Sequence, residues 1–199
     1  MHGFEYMKYH KGASKTGQCF YTNAPAFTAL TTLAQAVDKL IAFPFVISEP
    51  ITIDKLEFEV TGAGGAGCLA RVGIYSNEGS GILFPQDLIC QSAEFDATGT
   101  GLGGGAALTP NAETQLDAGV YWGAYSNGVG TVCTVRAVAA AAVWPLLGWA
   151  EAAPPTLRSG IITDRTYVSG SLPSTFPDPG TNPAFIATAV PVIMIRPKL

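Results

Sequence analysis

The stretch from Cys68 to Leu83 constrains the fold more than any other, because it joins an alternating apolar segment to a glycine-rich one. From Cys68 to Ile74 every second residue is apolar, which is typical of a half-buried β-strand. The residues that follow, 76–81, read S-N-E-G-S-G and favour tight turns. The stretch therefore predicts a strand that ends in a turn and starts a β-hairpin.

The same order of strand and turn recurs elsewhere in the chain. Residues Ile51–Val60 alternate between apolar and charged side chains, as in an antiparallel strand with one face in water. On that wet face the pattern places Glu57 and Glu59. The apolar phase shifts at Asp54 and Lys55, which predicts a β-bulge at this point.

Two glycine-containing segments are predicted to be hairpin loops. The first, Thr61–Gly67, contains the pattern G-x-G-x-x-G, but a dinucleotide site needs a helix where this chain continues as a strand. The second, Ser126–Gly128, has the Asn-Gly pair that is common in two-residue turns. It lies between the apolar segments Val120–Tyr125 and Thr131–Val138, which we expect to pair with each other.

Glycine and proline are abundant (Gly 23, Pro 14), which suits many short strands joined by turns. Together with the recurring strands, this predicts an all-β protein with an antiparallel β-sandwich fold. Only 13% of the residues are charged, well below the usual ~25%, so we expect other subunits to cover part of the surface. The net charge is −4 and no basic run is present, which argues against binding to nucleic acid or to a membrane.

The chain divides into an N-terminal arm, residues 1–26, and a sandwich domain, residues 27–199. The arm shows no sustained periodicity, so it is either a floppy terminus or a segment that docks on a neighbouring subunit. Its aromatic residues favour docking; they are Phe4, Tyr6, Tyr9, Phe20 and Tyr21. The N-terminus lacks the apolar core of a secretory signal, and the longest apolar run, Ala137–Ala150, is too short to span a bilayer. We therefore expect a soluble protein made in the cytosol.

A long irregular excursion, residues 139–183, interrupts the regular strands and is rich in proline. Long ordered loops of this kind are commonly functional or pack against a partner. Its flat aromatic rings and arginines suit sugar rings or protein partners, or they simply close the open end of the sandwich. The candidate ligand-binding residues are Trp144, Trp149, Tyr167, Arg158 and Arg165. The apolar run Phe185–Ile195 then predicts one strand buried on both faces, either central or at a subunit interface.

Catalytic chemistry has little support in the sequence. Both histidines lie in the arm, and carboxylates close together in sequence are usually solvated. The carboxylate pairs are Glu57 with Glu59, Glu94 with Asp96, and Glu113 with Asp117. A glycan-cleaving enzyme would need two such groups facing one cleft. We therefore predict no catalytic residue.

The cysteines lie far apart, without the C-x-x-C spacing of many metal sites. They are Cys19, Cys68, Cys90 and Cys133. Because cysteine is among the most buried residue types and the product is expected in the cytosol, we predict free thiols in the core. No metal, cofactor or disulfide framework is expected.

Six phrases of the sequence resemble a module found in virion proteins of tailed bacteriophages. They are P-F-V-I (44–47), I-T-I-D-K-L-E-F-E-V (51–60), L-A-R-V-G-I-Y-S (69–76), L-D-A-G-V-Y-W-G-A (116–124), T-V-R (134–136) and L-P-S-T-F-P (172–177). Such modules occur in tail fibres, receptor-binding tips and head decoration proteins. The resemblance extends from Thr28 to Arg196 and implies a jelly-roll-like β-sandwich, often a homotrimer, without enzymatic activity.

The sequence and this resemblance together lead to a functional expectation. We expect a non-enzymatic structural component of a phage virion, such as a capsid decoration, cement or tail fibre protein. It would contact other virion proteins through its arm and its sandwich surfaces. The alternative is a receptor-binding module that attaches the virion to carbohydrate on the host surface.

Overall fold

The computed structural model describes residues 21–22, 30–81, 83–105, 108–128, 130–139, 158–167, 171–177 and 184–198. Every regular element in these ranges is a β-strand, and the strands form two antiparallel sheets. The predicted antiparallel β-sandwich is therefore confirmed, whereas its jelly-roll form stays a prediction. Within the same ranges, no helix is long and apolar enough to cross a membrane.

Each sheet contains strands from both halves of the chain. The strands of sheet A are β1 (Tyr21–Thr22), β2 (Leu30–Ala34), β4 (Ile51–Gly62), β8 (Gly101–Gly105), β9 (Thr114–Leu116), β11 (Thr134–Val138), β14 (Val190–Pro191) and β15 (Met194–Pro197). The strands of sheet B are β3 (Lys39–Ile47), β5 (Leu69–Asn77), β6 (Pro85–Gln91), β7 (Phe95–Asp96), β10 (Gly119–Gly128), β12 (Gly160–Asp164) and β13 (Ala184–Ile186).

The order of the strands shows which of them are central. Sheet A runs β1-β15-β4-β11-β14, with β2 paired to β11 and with β8 and β9 paired to β4. Sheet B runs β13-β12-β3-β10-β5-β6, and β7 pairs with β5. The long strands β4 and β10 therefore lie inside their sheets with neighbours on both sides.

The main core lies between the two sheets, because alternate residues of each strand point inward. Phe58 on β4 and Tyr125 on β10 join the sheets, with edge-to-face rings whose centroids are 5.5 Å apart. The predicted bulge in β4 is confirmed. Ile53 pairs with Pro197 and Lys55 with Arg196, so one extra residue of β4 lies between these pairs.

The connections between strands differ from the prediction, because most of them cross from one sheet to the other. The hairpin predicted at Ser126–Gly128 is wrong: β10 continues through Gly128, and β11 belongs to the opposite sheet. Asn127 cannot turn the chain because its backbone pairs with Lys39 on one side and with Ala70 on the other. The segment Thr61–Gly67 likewise leads from β4 in sheet A to β5 in sheet B. The hairpin predicted from Cys68 to Leu83 is confirmed, since β5 pairs with β6.

The run Phe185–Ile195 is not a single buried strand, as the sequence had indicated. It contains β13, β14 and the start of β15, and it passes from the edge of sheet B into sheet A. Val190 and Ile195 are buried in the core, but Phe185 is 49% exposed. Because the run contributes strands to both sheets, its apolar residues do not keep one alternating pattern, and they look continuous in the sequence.

Candidate functional site

The excursion packs against the outer face of sheet B, where it covers a second apolar cluster. The cluster contains Leu40, Ala42, Tyr75, Trp122, Ala124, Ile161, Leu172 and Phe176. Phe176 lies edge-on to Tyr75 with a centroid distance of 5.6 Å, and the Tyr75 hydroxyl donates a hydrogen bond to the carbonyl of Pro173 at 2.8 Å. Residues 171–177 therefore close a broad face of the sandwich, rather than its open end.

The same segment also covers the edge of β6. The amide of Leu88 donates to the carbonyl of Ser174 at 2.8 Å, and the amide of Phe176 donates to the carbonyl of Gln86 at 2.7 Å. An exposed strand edge is a template for unwanted pairing with another chain. The excursion thus protects one edge of sheet B with its own backbone.

Tyr167, one of the predicted ligand-binding residues, crosses sheet B and joins a polar cluster. Its hydroxyl donates to Glu94 Oε2 at 3.0 Å, and its amide donates to Asp38 Oδ1 at 2.7 Å. Arg71, which is only 5% exposed, has Nη2 3.9 Å from the same Glu94 oxygen and donates from Nη1 to the carbonyl of Ser92 at 2.9 Å. Burial, and next the Glu94 carboxylate, raise the pKa of Tyr167, so its hydroxyl acts here as a proton donor in a hydrogen bond.

Arg165 holds the same part of the excursion in place. Its amide donates to the carbonyl of Asp38 at 2.9 Å, and its Nη2 donates to the carbonyl of Ser171 at 3.3 Å. Burial lowers the pKa of the Arg165 guanidinium. We call residues Arg165–Tyr167 the strap, because they fasten the excursion across β3 and β10 to Glu94.

Arg158, another predicted ligand-binding residue, lies away from the strap. The two are separated by the whole of β12, Gly160–Asp164, which is about 13 Å long at the usual rise per residue. The Arg158 guanidinium lies over the ring of Phe185, 4.1 Å from its centroid. Trp144 and Trp149 lie outside the described residues. The structure therefore does not bring Arg158, Arg165 and Tyr167 into one site.

The carboxylates of β4 are held in ion pairs. Glu57 pairs with Lys55 and is only 6% exposed, so its predicted place on a wet face is wrong. Glu59 accepts two hydrogen bonds from Arg136, from Nε and from Nη2, each 3.0 Å long. These bonds lower the pKa of Glu59 below its ordinary value of 4.5.

The other two carboxylate pairs are likewise engaged. Glu94 belongs to the cluster around Tyr167, and Asp96 accepts the amide of Thr98 at 2.9 Å. The side chain of Thr98, and next this amide, lower the pKa of Asp96. Glu113 forms an ion pair with Lys198, and Asp117 Oδ1 accepts a hydrogen bond from Gln115 Nε2 at 3.3 Å. The structure therefore assigns each of these carboxylates a local structural partner.

The outer face of sheet A carries a surface that the sequence did not reveal. Leu102 pairs with Glu59 across β8 and β4, and Thr32 pairs with Arg136 across β2 and β11. Leu102 is 61% exposed and Leu30, two positions before Thr32, is 57% exposed. We call these five residues the sheet A patch. The outward positions of Glu59 and Arg136 follow from strand alternation, but only the strand order shows that Leu30 and Leu102 lie on either side of them.

The arm contributes one short strand to the described structure. Tyr21 and Thr22 form β1, which pairs with Ile195 and Met194 at the edge of sheet A. The other predicted docking residues, Phe4, Tyr6, Tyr9 and Phe20, lie outside the described residues. The arm therefore joins the sandwich on the same sheet as the sheet A patch.

The described cysteines are buried and form no metal site. Cys68, Cys90 and Cys133 are buried free thiols, as predicted, and Cys19 lies outside the described residues. Within the described ranges, no three residues among His, Cys, Asp and Glu are grouped so that they could hold a metal ion. Comparison with models of known protein families and with curated proteins gives no match.

Proposed function

We propose that this chain is a non-enzymatic structural component of a tailed-bacteriophage virion, either a decoration or cement protein or a fibre protein. It assembles as a homotrimer and contacts other virion proteins through the sheet A patch and the N-terminal arm. The observation that carries the proposal is the sheet A patch, in which two exposed leucines flank a bidentate ion pair.

The composition of the patch suits a protein interface. Arginine is enriched at interfaces and their buried centre is more apolar than the rest of the surface, whereas acidic side chains are depleted there. The Arg136–Glu59 pair is already neutralised within the subunit, so a partner would meet no unpaired charge at this point. The corresponding face of sheet B is covered by the chain's own excursion, whereas Leu30 and Leu102 on sheet A remain exposed to a partner.

The position of β1 supports a role for the arm in the same assembly. Because β1 pairs with β15, Tyr21 and Thr22 of the arm lie at the edge of sheet A. A neighbouring subunit seated on sheet A would therefore lie within reach of residues 1–20. A truncation that tests the arm should remove residues 1–20 and keep Tyr21 and Thr22, since removing β1 would also expose the edge of β15.

The proposal is tested by placing charges in the patch. Leu30→Asp combined with Leu102→Asp should convert the trimer to a monomer in light scattering and abolish incorporation into phage particles. Phe185→Asp is the matched control, because Phe185 is similarly exposed but lies at the edge of sheet B. Circular dichroism should show that all variants remain folded. A double variant that keeps the mass and the incorporation of the wild type would refute the proposal.

The second candidate function is attachment to carbohydrate on the host surface. It is favoured by Phe185, an exposed aromatic ring with the Arg158 guanidinium on one face, since aromatic rings beside polar groups suit sugar binding. Replacing Phe185, or both Trp144 and Trp149, by alanine should then abolish adsorption of the phage while particles still assemble. Normal adsorption of both variants would exclude this function.

A further inference from the structure

Two buried thiols, Cys68 and Cys133, lie just before strands that belong to opposite sheets. Cys68 precedes β5 in sheet B, and Cys133 precedes β11 in sheet A. Their chain segments run side by side: the amide of Gly65 donates to the carbonyl of Thr131 at 3.0 Å, and Gly62 pairs with Thr134. Both thiols are fully buried and belong to the main core. The pairing of their chain segments therefore places Cys68 and Cys133 near each other.

The surroundings of this thiol pair are close to the protein surface. The loop 62–67 covers Cys68 so tightly that a methyl group on Gly64 would lie 2.5 Å from its sulfur. Ala63, Ala66 and Gly67 in the same loop are exposed, so a single layer of small residues separates Cys68 from water. On the other side, the Tyr125 hydroxyl is 3.2 Å from Cys133 Sγ.

Cys90 offers a comparison within the same core. It is also a buried free thiol, but its pKa is raised by burial and no second thiol contributes to that rise. A difference in behaviour between Cys90 and the pair would therefore reflect the proximity of two thiols, rather than burial alone.

We propose that Cys68 and Cys133 form a disulfide when the protein is exposed to a small-molecule disulfide such as oxidised glutathione. One cysteine thiolate attacks the oxidant and releases one glutathione thiol, and the second cysteine thiolate then displaces the other glutathione. Two protein thiols are oxidised, one disulfide is reduced to two thiols, and the two protons pass to the released thiols. The new bond links sheet A to sheet B, and it does not depend on a role in the virion.

The reaction is slow in the folded protein. Burial, and next the neighbouring Cys133, raise the pKa of Cys68 to about 11, so few molecules carry the reactive thiolate at neutral pH. Access for the oxidant requires the loop 62–67 to open. Once formed, the bond restricts the unfolded chain between the two cysteines and so raises the melting temperature.

The experiment uses the full chain with Cys19→Ser, which removes the cysteine outside the described residues. After incubation with oxidised glutathione, intact mass should fall by two hydrogen atoms, and two of the remaining thiols should be lost. Cys90→Ser in this background should still lose two thiols, whereas Cys68→Ser and Cys133→Ser should not form the internal bond. Under non-reducing conditions the melting temperature should rise by on the order of 10 °C, and a reductant should reverse the rise.

A second measurement keeps the test independent of how the serine variants fold. Digestion of the oxidised protein with trypsin and a glutamate-specific protease, which cleaves after Glu94 and Glu113 and so separates Cys90 from Cys133, should yield one linked pair of peptides, containing Cys68 and Cys133. A protein that keeps all its thiols under conditions that allow the loop to open, or that links Cys90 instead, would overturn the proposal.

Discussion

Gly128 lies beneath the strap, and replacing it by alanine tests whether the strap depends on this close approach. A methyl group at this position would lie 2.0 Å from Tyr167 Cβ and 2.4 Å from its Cγ. Carbon atoms in van der Waals contact are about 3.5–4.0 Å apart, so Tyr167 must retreat by about 1.5 Å. Such a shift breaks the hydrogen bonds of Tyr167 to Glu94 and Asp38, which are 3.0 and 2.7 Å long.

The expected loss of stability follows from these contacts. If Tyr167 stays in place, overpacking costs about 1–3 kcal/mol. If Tyr167 moves away, the clash is relieved but its hydrogen bonds are lost, and each contributes about 1 kcal/mol net. We expect Gly128→Ala to lower the free energy of unfolding by about 2 kcal/mol. For a chain of this size, that lowers the melting temperature by about 4–8 °C.

Two assays separate this mechanism from a general weakening of β10. Gly128→Ala should expose the bond after Arg165 to trypsin, because the strap no longer holds it against sheet B. Gly79→Ala is the matched control, since nothing lies within 4 Å of the added methyl, and it should change stability by less than about 0.5 kcal/mol. Equal protection of Arg165 in the wild type and in Gly128→Ala would refute the reasoning.

A double-mutant cycle assigns the clash to a particular atom. Because the closest contact is to Tyr167 Cβ, Tyr167→Gly should remove the cost of Gly128→Ala, whereas Tyr167→Ala should leave it largely in place. If Gly128→Ala costs the same in the Tyr167→Gly background as in the wild type, the strap is not the cause.

Three further predictions concern the core and the ion pairs. Tyr75→Phe removes the hydrogen bond to Pro173, and urea titration should show a loss of about 1 kcal/mol; no loss would contradict it. Phe58→Ala empties a fully buried site between the sheets, and we expect a loss of about 3–5 kcal/mol by calorimetry, with a loss below about 1 kcal/mol as the contrary result. Arg136 lowers the pKa of Glu59 below 4.5, so this carboxylate contributes stability above that pH and loses it as the pH falls through the folded-state pKa. Glu59→Gln should therefore flatten the acid side of the stability curve, and an unchanged slope would contradict the assignment.

Local strand structure could be predicted from the sequence because alternation is a local property. The pattern of Ile51–Val60 gave both the strand and its bulge, since a phase shift in apolar residues has few other causes. The pairing of strands could not be predicted in the same way. Asn127–Gly128 has the composition of a tight turn, but backbone pairing on both sides keeps it in β10.

For a related reason, only part of the candidate site could be predicted from the sequence. Aromatic and arginine side chains in the excursion were singled out by type, but their roles depend on what the fold places beside them. Tyr167 bonds to Glu94, which is distant in sequence, while Arg158 lies on Phe185. No spacing in the sequence predicts either contact. The same holds for the sheet A patch, whose leucines come from β2 and β8.

The two outer faces of the sandwich make different physical demands, and this difference supports assembly through sheet A. The outer face of sheet B is apolar around Trp122 and Ile161, and a large apolar surface must be covered in a soluble subunit. The excursion covers it within the same chain. On sheet A, an exposed ion pair such as Arg136–Glu59 adds little to the stability of an isolated subunit. In the proposed interface, Leu30 and Leu102 would become buried and the pair would enter the contact already neutralised.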